Sequence, residues 1–241
     1  MRSTQQRSLV ITQQMQDKTS QGKNLASLKS AYQSLGNQQK AKEYQLKLVS
    51  LAREVFLESK TDDFMTLAKT LGINPARDFS WSDLSNLDLH YADLGQADLS
   101  EVNLSHAYLE LANLRRANLR KANLRHAQMI NTNLSSANLI HADLTGADLR
   151  TNLSHANLSH ANLTSAYLHK TQLIGANLTG ANFNNADLTE ANLTDALLHN
   201  TELTRATLTK ITLKNARFRD PSGLSEAMKQ HCLQLGAIFY D

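Results

Sequence analysis

Apolar residues recur at every fifth position through most of this chain. A leucine, methionine or phenylalanine stands at 28 such positions between Leu84 and Phe218, and the spacing shortens once, to four residues, between Leu149 and Leu153. Two residues before these positions stands alanine in 20 cases and threonine in four more. One unit, Ala-(Asn/Asp)-Leu-x-x, therefore dominates the chain.

A period of five fits neither a continuous helix nor a continuous strand. On a helix, leucines five apart advance by about 140° and form no stripe, and on a strand an odd spacing sends them to opposite faces. Within one unit, however, alanine and leucine share a face. The pattern predicts a short extended piece followed by a two-residue corner, repeated as a β-solenoid whose rungs lie about 4.8 Å apart. Alanine and leucine would fill its interior, and the polar residues would face water.

The individual units resemble a known family. Ala-Asn-Leu-Arg-Arg at 112–116, Ala-Asn-Leu-Arg-Lys at 117–121 and Ala-Asp-Leu-Thr-Gly at 142–146 are similar to the repeats of the pentapeptide-repeat proteins. The resemblance covers residues 77–220. It implies a mainly β fold, a right-handed quadrilateral β-helix with four units per coil, and hence about seven coils. We interpret the short unit as a tightened corner, beyond which residues stack 19 rather than 20 positions apart.

Residues 1–75 are expected to form an α-helical module. Two apolar stripes separated by Gly36 predict a helical hairpin, and a third short helix is expected from about Asp62 to Leu71, with Thr61 as its N-cap. The stripes consist of Leu25, Leu28, Tyr32 and Leu35, and of Ala41, Tyr44, Leu48, Leu51 and Val55.

Residues 23–58 also resemble a single tetratricopeptide hairpin. Such a unit normally needs neighbouring copies, so a generic helical hairpin stays open as the alternative. If the resemblance holds, it implies a module that binds peptides or partner helices. The residues that carry it are Ala31, Tyr32, Gly36, Ala41, Glu43, Tyr44 and Lys47.

The end of the chain predicts a further helix, from about Leu224 to Leu235. Because a β-solenoid exposes unpaired backbone at both ends, we expect helices to cap each end. The domain prediction is a helical cap at 1–75, a β-helix at 76–220, and a C-terminal capping helix with its tail at 221–241. In the related quinolone-resistance proteins subunits join through their C-terminal ends, and a helix in that place predicts a monomer.

Charge is uneven along the chain. Residues 1–75 carry a net charge of +5, residues 76–220 of −1, and the remaining tail of −1. The basic helical module favours an acidic protein partner. A single cysteine, Cys232, excludes an intrachain disulfide, and on the apolar side of its helix we expect it to be packed. With no apolar run of about 20 residues and no secretory signal, the sequence predicts a cytoplasmic protein with no membrane contact.

The repeat works against catalysis, because its interior is apolar and its ionisable groups radiate outward. No nucleophile triad, phosphate-binding glycine loop or Cys-x-x-Cys pair is present, so we expect neither an enzyme nor a cofactor. In a four-unit coil His106 stacks with His126, and His141 with His160. Each pair lacks a third metal ligand, and we interpret all four as solvated corners.

The candidate interaction surface has two parts, and we assign neither of them a more specific role. One is a basic belt in consecutive units that wraps three sides of one layer, without aromatic residues for base stacking. The other is the pair of tyrosines in the helical hairpin. The residues are Arg115, Arg116, Arg120, Lys121 and Arg125, and Tyr32 and Tyr44. Tyr91, Tyr108 and Tyr167 are expected to be partly exposed, with no shared site.

The function expected from these features is non-catalytic protein–protein interaction or scaffolding, with no specific role assigned. One alternative is a DNA mimic that binds DNA gyrase, as some family members do. The near-neutral solenoid disfavours it. Another is nucleic-acid binding through the basic module and the arginine belt, which the lack of interleaved aromatic residues disfavours.

Overall fold

The computed structural model describes residues 2–59 and 63–240, with side chains placed for 17–57 and 63–240. The chain divides into two compact units, Met1–Asp83 and Leu84–Asp241. Each unit is described by itself below.

The described residues of the first unit form three helices: α1 Arg2–Ser34, α2 Gln38–Ser59 and α3 Phe64–Thr70. The expected N-cap of α3, Thr61, lies outside the described residues, and the N-cap is Asp63. Its carboxylate accepts the backbone N–H groups of Met65 at 2.8 Å and Thr66 at 3.1 Å. An aspartate in this position is favoured both as a cap and by the helix dipole.

The stripe expected on α2 is buried as predicted, apart from the partly exposed Tyr44. The stripe expected on α1 was wrong in part, since Leu28 and Leu35 are exposed. The inward line of α1 includes instead Gly22 and Lys29, which are seven residues apart. At Gly22 the helix lies so close to Leu71 that a Cβ would come 2.8 Å from Leu71 Cδ2. This line is rotated away from Leu28 and Leu35, which α1 presents to solvent.

A buried ion pair ties the end of this unit to its helices. Lys29 Nζ lies 2.5 Å from Asp78 Oδ2, and both residues are buried. Asp78 also accepts the Asn74 N–H at 2.8 Å, and its carbonyl accepts a hydrogen bond from Gln45 at 2.9 Å. The helical unit therefore continues to Asp83, whereas the sequence placed its end at residue 75.

The second unit is a β-helix whose coils each contain four units. Parallel bridges join residues twenty positions apart, such as Asn113 with Asn133. The leucine N–H donates to the next coil, as from Leu104 to Asn123 O at 2.7 Å. Each coil is thus joined to the next coil by backbone hydrogen bonds on all four sides.

The interior is filled as the repeat predicts. Ala117 and Leu119 have no exposed surface, and the other alanine and leucine positions of the central coils are equally buried. Four inward threonines are also buried, and their hydroxyls donate to backbone carbonyls, as Thr132 does to Leu109 O at 2.7 Å. Those four are Thr132, Thr151, Thr171 and Thr201.

The polar residues of each unit hold its corner together. Asn113 Oδ1 accepts the Arg115 N–H at 3.1 Å, and Asn113 Nδ2 donates to Asp93 of the preceding coil at 2.8 Å. Asparagine and aspartate precede the leucine because one oxygen can close the turn two residues on. The second corner residue takes a positive φ, 59° at Arg116, which the sequence analysis did not foresee.

The short unit is a tightened corner, as predicted. Bridges across it join residues 19 positions apart, such as Asn133 with Asn152. Thr151 takes two roles, because it ends one corner and is also the inward small residue of the next unit. Its hydroxyl donates to Thr132 O.

The last rungs contain three parallel strands: β1 Leu197–His199, β2 Arg217–Arg219 and β3 Ile238–Tyr240. Strand β3 was not predicted. It extends the stack by pairing with β2, and Phe239 lies 4.7 Å from Phe218 between ring centroids.

Helix α4, Glu226–Gln234, separates β2 from β3 and has Ser225 as its N-cap. Cys232 is buried on it, which confirms the expected packing, and burial raises the pKa of its thiol. Within the described ranges, none of the helices combines the length and the apolar character that a membrane span requires.

Candidate functional site

The basic belt is arranged as the sequence predicts. Its members follow Leu114, Leu119 and Leu124, so they occupy three successive sides of one coil, and all are exposed. Lys121 pairs with Glu101 at 3.7 Å and Arg125 with Asp143 at 3.0 Å. The other three, which have no ion-pair partner among the described residues, are Arg115, Arg116 and Arg120.

Tyr32 and Tyr44 lie together in the helical unit, where the structure brings α1 and α2 side by side. Their rings stack at 5.4 Å with an angle of 7° between the planes. Lys40 lies 5.1 Å from the Tyr32 ring and Lys47 5.2 Å from the Tyr44 ring. Such cation–π contacts stabilise the tyrosines in place and leave them partly exposed.

The two predicted histidine stacks are confirmed. The ring centroids of His106 and His126 are 5.1 Å apart, and those of His141 and His160 are also 5.1 Å apart. All four rings are at exposed corners. In the part of the chain that the structure describes, no three His, Cys, Asp or Glu side chains are arranged to hold a metal ion.

One side of the solenoid differs from the others, and we call it the tyrosine face. It consists of the units built on the column of Leu89, Leu109, Met129, Leu149 and Leu168. A ladder of bridges runs up this side through the residues that precede these positions, which are Asp88, Tyr108, Gln128, Asp148 and Tyr167.

All of the large apolar side chains exposed between Leu84 and Phe218 lie on this face or at its corner. Their exposed fractions are 74% for Tyr91, 41% for Tyr108, 49% for Leu111 and 58% for Tyr167. The expectation that the three tyrosines are partly exposed is therefore confirmed. Although their rings do not stack on one another, the register of the coils places them along one side.

His90 anchors the first rungs of the tyrosine face. Its Nδ1 lies 2.5 Å from Asp88 Oδ1, its Nε2 contacts the Glu110 carboxylate, and its ring stacks at 6.1 Å from Tyr108. Both ring nitrogens are thus engaged by carboxylates. Burial acts to raise the pKa of Asp88, but hydrogen bonds from the His90 ring and amide outweigh it and lower that pKa.

A groove, which we call the notch, interrupts the same face at the short unit. Its volume is about 660 Å³, and a second groove of about 340 Å³ adjoins it beside Asp148 and Tyr167. The notch opens because the corner after Leu149 lacks one residue. Its lining residues are Ile130, Asn131, Thr132, Asn133, Arg150, Thr151, Asn152, His169, Lys170 and Gln172.

Two cations stand at the notch. The guanidinium of Arg150 is fixed by Asp148, with its Nε 2.9 Å from Oδ1 and one terminal nitrogen 2.5 Å from Oδ2. Lys170 Nζ lies 3.7 Å from Glu190, which Lys210 also approaches, at 3.8 Å. None of the ten lining residues is acidic.

The tyrosine face was within reach of sequence reasoning, and the notch was not. Leu89 and Leu109 are twenty residues apart, which is one coil. Leu168 follows Leu109 after 59 residues, one fewer than three coils of twenty, because of the short unit. Tracking the columns would have placed the tyrosines together. A missing residue predicts a tighter corner, but whether its neighbours collapse onto it depends on packing in three dimensions.

The comparison with known families decides what this repeat is. The model of pentapeptide repeats matches eight copies, at residues 78–116, 112–150, 150–180 and 181–220. The chain belongs to the pentapeptide-repeat family. This confirms the resemblance and the β-helix solenoid. No curated protein matches the sequence.

Several solved structures of pentapeptide-repeat proteins are similar to this chain. HetL of the cyanobacterium Nostoc sp. strain PCC 7120, described as involved in heterocyst differentiation regulation, is 28% identical with a TM-score of 0.58. The match covers 59% of this chain and 66% of HetL, just under two thirds of that protein.

Two further structures show lower TM-scores. Rfr23 of the cyanobacterium Cyanothece 51142 is 28% identical, with a TM-score of 0.21 and coverage of 55% of this chain and 90% of Rfr23. QnrB1, a plasmid-mediated fluoroquinolone resistance protein, is 18% identical, with a TM-score of 0.37 and coverage of 69% and 86%.

Proposed function

We propose that this pentapeptide-repeat protein is a non-catalytic scaffold that binds a partner protein through its tyrosine face. The observation that carries the proposal is the placement of Tyr91, Tyr108, Leu111 and Tyr167 on one side of the β-helix. Exposed tyrosine supplies much of the binding energy at protein interfaces, and it loses little entropy when it becomes ordered. The other sides of the solenoid present small polar and charged groups.

The rigidity of the support favours the same role. Each tyrosine or leucine of the face follows or precedes a buried residue of the column, so the backbone beneath it is fixed by hydrogen bonds to the next coil. Tyr91 N–H, for example, donates to Glu110 O at 3.2 Å. A preformed surface orders few groups on binding, and this lowers the entropic cost of association.

The basic belt and the hairpin tyrosines enter the proposal as secondary contacts. Arg115, Arg116 and Arg120 form no ion pair among the described residues, which supports steering of an acidic partner. Tyr32 and Tyr44 present stacked rings beside lysines. A DNA-mimic role gains no support, because residues 76–220 carry a net charge of only −1.

We further propose that the solenoid is monomeric. Helix α4 and strand β3 continue the chain past β2, so the rung at Phe218 is already paired. The β-helix, in this proposal, has about seven coils. Size-exclusion chromatography with light scattering tests the oligomeric state, and a mass of twice 26.8 kDa would contradict it.

The test of the proposed function compares two matched double variants of the full chain. Tyr91→Ser with Leu111→Ser removes two exposed apolar groups of the tyrosine face, and Gln96→Ser with Asn185→Ser changes two exposed corners elsewhere. All four positions have φ of 59° or 60°, and serine already occupies such corners, as at Ser136. The two variants therefore place the same demand on the backbone.

Each protein is immobilised, and the proteins that it captures from an extract of its source cells are quantified. We expect the wild type and the control to capture at least one protein in similar amounts. The captured amount of that protein should fall by about tenfold or more with the tyrosine-face variant. Equal capture by both variants, or equal loss, would refute binding through this face.

A further inference from the structure

We propose that the notch binds a carboxylate side chain carried on an extended segment of the partner protein. This inference rests on the proposed function, because it assigns a chemistry to the partner that crosses the tyrosine face. It goes further by naming the point of specific recognition and the missing residue that creates it.

The missing residue leaves backbone groups of the notch without partners. In neighbouring coils the second corner residue donates to the next coil, as Asn131 N–H does to Arg150 O at 3.0 Å and Lys170 N–H to Thr189 O at 3.0 Å. At the short unit Thr151 stands in this position, but its N–H does not donate to His169 O. Among the described residues, His169 O and the Thr151 N–H have no hydrogen-bond partner.

These two groups are suited to a peptide backbone. A donor and an acceptor at the surface of a β-structure can pair with the main chain of an extended segment, as in strand addition. The amides of Asn131 and Asn152 add side-chain N–H groups that no acceptor within the described ranges takes up. Ile130 provides one apolar wall.

The charges select an acidic side chain. Arg150 uses its Nε–H and one terminal nitrogen on Asp148, and the guanidinium has further N–H donors. Because Asp148 fixes the guanidinium, those donors are oriented before a ligand arrives. Lys170 is only loosely paired, at 3.7 Å from Glu190, and its ammonium is mostly exposed.

The surroundings favour a carboxylate on a peptide over a free phosphate. The Asp148 carboxylate lies beside Arg150 and repels a doubly charged anion more than a singly charged one. The notch, at about 660 Å³, is within the usual range of about 300–1,000 Å³ for ligand sites. It also continues into the groove beside Tyr167, so a bound segment can extend along the tyrosine face.

The test uses ¹⁵N-labelled full-length protein and three probes: N-acetyl tetraglutamate, the isosteric N-acetyl tetraglutamine, and inorganic phosphate. Amide shifts are followed at Thr151, Asn152, His169 and Lys170. We expect saturable shifts at these amides with tetraglutamate, and weaker binding of the other two probes. Equal affinity for tetraglutamine, or tighter binding of phosphate, would overturn the proposal.

Lysine substitutions supply a matched pair of variants. Lys170→Glu and Lys210→Glu make the same change in net charge, at two corners of one column that both approach Glu190, and only Lys170 lines the notch. We expect the dissociation constant for tetraglutamate to rise by about tenfold or more with Lys170→Glu and by less than about twofold with Lys210→Glu. An equal effect of both would show a general charge effect and overturn the site.

A glycine inserted between Arg150 and Thr151 restores the five-residue unit and closes the notch without changing charge. We expect it to abolish the localised shifts, while retained binding would contradict the assignment. If the insertion fails to fold, the two lysine variants still decide. Failure of the notch test, with capture still lost in the Tyr91 and Leu111 variant, would remove this inference and leave the proposed function standing.

Discussion

The imidazole of His160 lies over the backbone of Gly180, so closely that a Cβ at position 180 would come 2.5 Å from its Nδ1. The same ring stacks on His141 on its other side. The column of His106, His126 and Gly146 repeats this order. A Cβ at position 146 would again come 2.5 Å from the Nδ1 of the adjacent ring, that of His126. Each histidine pair is thus seated on a glycine of the next coil.

This contact predicts an interaction free energy between His160 and Gly180. Gly180→Ala places a Cβ at a φ of 68° and forces His160 out of its stack. The left-handed conformation alone costs about 1–2 kcal/mol. In a His160→Ser background the histidine ring is absent, so Gly180→Ala has only the cost of the left-handed backbone. A double-mutant cycle of unfolding free energies in urea should therefore give a coupling of about 0.5 kcal/mol or more. Strict additivity would contradict the contact.

The interior of the β-helix predicts a contrast between adjacent residues. Leu119→Ala should cost about 2–5 kcal/mol, because the side chain is fully buried between rungs. Arg120→Ser, one residue later and exposed, should cost less than about 0.5 kcal/mol. Urea unfolding followed by far-UV circular dichroism measures both, and similar costs would show that the inward and outward assignments are mistaken.

Asp143 predicts part of the acid sensitivity. Burial acts to raise its pKa, but hydrogen bonds from the Thr145 hydroxyl and amide, together with Arg125, outweigh it and lower that pKa below the ordinary 3.8. Since the folded pKa is the lower one, Asp143 contributes stability that is fully present above pH 3.8 and lost as the pH falls through the folded value.

The measurement compares the wild type with Asp143→Asn, which keeps an oxygen acceptor but does not titrate. We expect the variant to lose less unfolding free energy than the wild type between about pH 7 and about pH 3. Histidine protonation affects both proteins alike. An identical loss in the two would exclude Asp143 from the acid response.

The basic belt predicts an effect on the rate of association. Replacing Arg115, Arg116 and Arg120 with serine removes three exposed charges that form no ion pair among the described residues. Binding to the captured partner, measured by surface plasmon resonance, should show slower association and a weaker dependence on salt, with dissociation nearly unchanged. Faster dissociation alone would place the arginines inside the contact rather than around it.

Much of the fold could be predicted from the sequence, because a five-residue period leaves few alternatives. The inward leucines and the polar corners follow from it, and the stacking of His106 on His126 follows from the four units per coil that the resemblance to pentapeptide-repeat proteins implies. The tail was harder. Ile238, Phe239 and Tyr240 form a strand only because Phe218 offers an exposed rung to pair with, and so short a segment shows no periodicity of its own.

The candidate site was less accessible than the fold. The tyrosine face follows from counting twenty residues between coils, and it was missed because Tyr91, Tyr108 and Tyr167 were compared by ring stacking alone. The buried pair of Lys29 and Asp78 joins residues 49 apart and has no signature in the sequence. The notch depends on how Arg150 settles against Asp148, which spacing does not encode.

Site-specific photocrosslinking tests the tyrosine face most directly. A benzoylphenylalanine replaces Tyr167 in one protein and Asn177 in another. The two positions have the same place in their units, and Asn177 lies two units on, at the opposite side of the coil. We predict that the captured partner crosslinks at position 167 and not at 177. Crosslinking at 177 alone, or equally at both, would contradict the account.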